Sequence, residues 1–155
     1  LLSILLFNQL HYAWWVFPPF TSTELAELSI CHILPFSMKH LLTLEEAAQF
    51  LLSILLFNQL HYAWWVFPAW LLVPDLSMIG YVINTQIGAL LYNFFHHKLL
   101  AIAVYALGIW LQQPQLILAG IILFGHSAMD RVFGYGLKYS DDFKNTHLGW
   151  IGGKS

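Results

Sequence analysis

Of the 155 residues, 59% are hydrophobic, 17% aromatic and 9% charged, and the formal net charge is −2. A soluble domain of ordinary composition has about a quarter of its residues charged, so 6 Lys+Arg and 8 Asp+Glu are too few to cover a globule of this size. The same figures exclude disorder, and the lack of a basic cluster excludes a nucleic-acid surface. The class these numbers indicate is an integral membrane protein.

The chain opens with LLSILLFNQLHYAWWVFP at 1–18, which recurs without a change at 51–68. Repeats that build solenoids or transporter halves keep a pattern and let side chains diverge, so this one reads as a very recent duplication or a sequence-assembly error. The chain begins with Leu and its first methionine is Met38. The expectation is therefore an appended segment over 1–37 and a working domain over 38–155. The appended segment lacks a signal-peptide n-region and cleavage site. It holds Cys31, the sole cysteine, which rules out an intrachain disulfide.

Thr43-Leu44-Glu45-Glu46 has the form of a capping box and predicts the start of the first helix. From 47 to 129 the only charged side chains are Asp75 and Lys98. A crossing needs about 20 apolar residues, and the charge-free runs at 47–74 and 99–129 exceed that. Asn58-Gln59-Leu60-His61 breaks the first, and Gln112-Gln113-Pro114-Gln115 breaks the last as a tight turn. The expected architecture is all-α, an integral membrane bundle of four helices near 43–58, 62–79, 86–111 and 115–133, with a short polar tail over 134–155. An alternative carries the first helix to Phe67, ends it at Pro68 and leaves 69–80 short or re-entrant. Trp64, Trp65 and Trp70 suit an interfacial belt under either reading. Arg131, Lys138, Lys144 and Lys154 lie at or after the end of the last helix, so the positive-inside tendency puts both ends of 38–155 in the cytoplasm.

Polar groups at membrane depth need a reason, because each is costly there. His126 and Asp130 stand four apart and share one helix face. Asn93, His96 and His97 form a second polar stripe, Asp75 follows Pro74, and Thr146-His147 lies on the tail. A bundle would gather Asp75, His96, His126 and Asp130 at one end, with His147 as lid or further ligand. Two imidazoles and two carboxylates suit zinc or manganese with a water to activate; the same groups also suit interhelical hydrogen bonds alone. Asp130-Arg131 reads as a local charge pair, and Arg131 and Lys138 as contacts for a lipid phosphate. Asp141, Asp142 and Lys144 read as a solvated turn. There is no GxxxxGK, no GxGxxG and no GxSxG, so neither a nucleotide nor serine hydrolase chemistry is expected.

From about Glu45 to Gly152 the chain resembles a bacterial membrane family known as domain of unknown function 4260. The blocks that carry the likeness are Trp64-Trp65, PDLSMIGY at 74–81, GALLYNFFH at 88–96, then His126, Asp130-Arg131, GYGLKY at 134–139, Phe143-Lys144 and THLG at 146–149. The resemblance implies four membrane helices in a bacterial inner membrane and no defined activity. Pro74-Asp75 and Thr146-His147 are also similar to motifs of bacterial inner-membrane proteins described as predicted metal-dependent hydrolases. The second aspartate of those proteins is missing here, where Ser77 and Met78 stand. The function expected is a membrane protein whose His/Asp/Asn cluster holds helices together or forms a binding site. A metal-dependent hydrolase of a lipid-like or headgroup substrate is the alternative, and a small oligomeric transporter, hence a possible homo-oligomer, the third.

Overall fold

A computed structural model of the chain describes residues 38–153. The first copy of the repeat, Cys31 and the rest of 1–37 lie outside the described residues, as does Lys154.

Helix α1 runs over Met38–Asn58. It starts a turn and a half before the expected capping box, so Thr43 is interior and its hydroxyl donates to the Lys39 carbonyl at 2.9 Å. Uninterrupted good helix formers from Leu41 onward carry the helix past that box in both directions. It ends where His61 takes a left-handed conformation (φ 56°), placing the turn at 59–65 and not at Pro68. Pro68 sits instead in the first turn of α2, Val66–Leu71, where its missing N–H costs nothing.

The expected second helix is in fact two pieces. After α2 the chain tightens into a 3-10 helix over Val73–Val82, with Pro74 in its opening turn. Asn84 then caps α3, Thr85–Phe95, by accepting the Ile87 N–H at 2.8 Å. The expected third helix is likewise broken. His97 leaves the helical region and its Nδ1 accepts the Leu99 N–H, starting α4 at Lys98–Trp110, bent 44° from α3. Gln112 in the left-handed region and Pro114 then turn the chain into α5, Pro114–Val132, as the glutamine-flanked proline implies.

All-α is thus the class, with five α-helices among the described residues. One of them, α1, is long and apolar enough to cross a membrane, and the bent pair α3–α4 makes two if counted as one span. The four expected spans exceed this for physical reasons. The stretch 66–82 is short and split, and the last turns of α5 carry His126, Asp130 and Arg131.

Helix α5 is the centre of the packing, against α1, α4 and α2. Ile121 and Ile122 meet Phe57, Phe67 and Leu71 in the core. Close approach is set by glycine: a Cβ on Gly120 would stand 2.6 Å from the Tyr105 backbone N of α4. The 3-10 helix packs on α3. The expected tail carries structure over 134–153. Strands β1 (Asn145–Thr146) and β2 (Gly149–Trp150) pair antiparallel, and Lys138 bridges to Thr146.

Candidate metal centre

Four side chains from three elements converge at one end of α5. The 3-10 helix supplies Asp75, the C-terminus of α3 supplies His96, and α5 supplies His126 and Asp130, stacked by their four-residue spacing. One ligand atom from each lies within 4.8 Å of all the others. His96 Nε2 is 2.9 Å from His126 Nε2 and 3.5 Å from both Asp75 Oδ1 and Asp130 Oδ2. His126 Nε2 is 3.3 Å from Asp75 Oδ1 and 3.7 Å from Asp130 Oδ1. A tetrahedral zinc site with bonds of about 2.0–2.2 Å has ligand–ligand edges of about 3.3–3.6 Å. The four His–Asp separations lie close to that edge, and the His96–His126 contact, at 2.9 Å, is shorter.

Their surroundings orient the ligands. His96 Nδ1 lies 2.8 Å from the Tyr92 carbonyl, which can only accept. The proton is therefore on Nδ1 and the Nε2 lone pair faces the cluster. The Tyr92 ring stacks on His96 at 3.7 Å, and its hydroxyl donates to Asp130 Oδ2 at 2.6 Å. Asp75 Oδ1 and His126 Nδ1 are buried without a hydrogen-bond partner among the described residues. An orphaned carboxylate oxygen beside two imidazole nitrogens is a donor arrangement that fits a cation. His126 is wholly buried and His96 nearly so, whereas the Asp75 side chain is 36% exposed. The donor set, with two carboxylates against a dication, fits zinc or manganese.

The remaining expected site residues lie elsewhere. His147 is exposed, and its Nδ1 accepts the Leu137 N–H at 2.8 Å, which ties the hairpin to the chain entering it. Asn93 holds the Lys138 backbone at both ends, donating to its carbonyl at 2.8 Å and accepting from its N–H at 2.7 Å. Lys138, expected to meet a lipid phosphate, is buried. Its ammonium lies over the Phe143 ring at 3.6 Å and donates to the Phe143 carbonyl. Burial lowers its pKa, against the pull of Asp130 and Asp75. Arg131 does not pair with Asp130; it reaches Glu46 of α1 at 3.7 Å, and Lys98 joins the same Glu46 and Gln49. Asp142 caps the Lys144 N–H in the expected polar turn.

Tyr92 and Glu46 escaped the reading of the sequence. Tyr92 had a signal, since it precedes His96 by the same four residues that separate His126 from Asp130. Glu46 had none, because its cationic partners stand 52 and 85 positions away.

No curated protein and no solved structure matches the chain. Residues 39–151, well over half of it, match the family model described as Domain of unknown function (DUF4260), and the chain belongs to that family.

Proposed function

We propose that the protein is a small membrane protein of the bacterial inner membrane that holds one divalent ion, zinc or manganese, through Asp75, His96, His126 and Asp130. The observation that carries this is the convergence of four ligand atoms from three elements to within 4.8 Å of one another. The chemistry an ion would supply there is activation of water for hydrolysis. Three buried ligands beside one partly exposed carboxylate, its Oδ1 turned inward, support that use over a closed structural site, since substrate needs an open side. Asp75 provides it.

Membrane residence is supported by the apolar surface. Trp64, Trp110, Leu76, Ile79 and Val82 are all more than 70% exposed, and only Ser53 and Phe57 of α1 are buried. The basic residues after α5 favour a cytoplasmic C-terminus.

A second reading, a polar clamp between helices with no ion, draws on the His96–His126 and Tyr92–Asp130 hydrogen bonds. Elemental mass spectrometry of the detergent-purified chain separates the two. The metal reading expects about one ion per chain, lost in His126→Ala and Asp130→Ala, with the helical circular dichroism of Asp75→Asn retained. No ion in the parent protein, even after incubation with excess zinc, would leave the clamp.

A further inference from the structure

A groove of about 520 Å³ runs between the 3-10 helix, α3 and α5. That volume lies within the range of small-molecule sites, about 300–1,000 Å³. Its position is informative. Pro74 and Phe95, both in its wall, immediately precede Asp75 and His96, and Ile122 lies one turn before His126 on the same face of α5. Three wall residues are thus chain neighbours of, or one helical turn from, three of the four cluster residues.

The lining defines the occupant. Apart from Trp70 and Ser77 it is entirely apolar. A peptide laid there would bury N–H and C=O groups with nothing to receive them, whereas an alkyl chain has none. Leu76 and Ile79 on the rim are 71% and 72% exposed, so the groove opens on an apolar surface and not a polar one. Ser77 is 8% exposed and its hydroxyl has no hydrogen-bond partner among the described residues. A buried hydroxyl is normally paired. An ester or phosphoester oxygen of an occupant would give this hydroxyl, two residues from Asp75 in the groove wall, the partner it lacks.

We propose that this groove receives a single acyl chain of a lipid ester or phosphoester, drawn from the bilayer, with its polar linkage set against the metal centre. The inference rests on the metal reading above for the linkage, and on the groove alone for the chain. It assigns specificity to the wall residues: Ala119, exposed on α5, borders the groove, and a larger side chain there fills it without entering the core.

The test uses the full chain in detergent, incubated with zinc and a photoreactive single-chain phospholipid, then irradiated and mapped by peptide mass spectrometry. Adducts are expected on 70–79, 91–95 and 119–123, reduced about tenfold in Ala119→Trp with zinc content unchanged. Ser77→Ala is expected to weaken labelling by the phospholipid while leaving a photoreactive alkane unaffected. Adducts spread along α1 and insensitive to Ala119→Trp would overturn the groove, whatever the zinc content. Groove adducts in a protein that takes up no zinc would overturn the metal reading and the placement of the linkage, and would keep the chain site.

Discussion

The phenolic hydroxyl of Tyr92 donates to Asp130 Oδ2 at 2.6 Å, joining α3 to α5 across 38 positions of sequence. The same residue gives its carbonyl to His96 Nδ1. Two of the four cluster residues are thus oriented by one tyrosine. Partners of this kind set ligand basicity and angle, and their loss costs about 10–100-fold in metal affinity. Tyr92→Phe keeps the ring stack and removes the proton donor. Zinc competition against a chelating dye should show that drop with helicity intact; an unchanged affinity would exclude the hydroxyl from the centre.

Ion binding should also appear as stability. Free ion at about a hundred times its dissociation constant adds about 2.7 kcal/mol to a state that binds it alone. Thermal unfolding of the purified chain should therefore move upward with zinc and downward with a chelator. The response should fade on acidification, because bound ligands must be unprotonated. In His126→Ala the melting temperature should ignore both additions.

Gly120 tests the packing of α4 on α5. A methyl group there meets the Tyr105 backbone, which cannot rotate away as a side chain would. Gly120→Ala should lower stability by about 1–3 kcal/mol. Denaturant titration in mild detergent would read it, and a neutral result would show that the two helices are free to separate.

Asn93 tests the hairpin. Its amide replaces a strand partner for Lys138, satisfying both backbone groups at once. Asn93→Ala should cost about 1–3 kcal/mol, since it leaves both unpaired. Hydrogen exchange should quicken at 137–147 while α1 and α5 keep their protection. Uniform loosening of the whole chain would mean that the hairpin is no separate unit.

How far the sequence speaks for this fold depends on range. The Gln112–Pro114 turn and the facing of His126 and Asp130 are local, and both are legible. The break at His96-His97 is not, because no proline or glycine marks it and the apolar run on either side is continuous. A histidine nitrogen acting as a cap sets that boundary, and only the fold reveals it. Thr43-Leu44-Glu45-Glu46 misleads for the opposite reason. It has the letters of a cap, but Glu46 is engaged by Lys98 and Arg131 from other helices. The gathering of Asp75 and His96 with the α5 pair follows from cost. Ionisable groups in so apolar a chain have few places to go except to one another.

Helices α1, α2, α4 and α5 pack as one group, and the 3-10 helix and α3 as another. Between these groups lie the apolar groove and the four ligand atoms, two contributed from each side. The seam is therefore closed by a few directional bonds and not by a broad interlocking face. Such a joint leans on each of its bonds more than an interlocked face would, so losing one loosens the register of the two halves while each keeps its helices. The place where ionisable groups are concentrated is also where the molecule is most easily parted, so an ion held by ligands from both sides would favour closure.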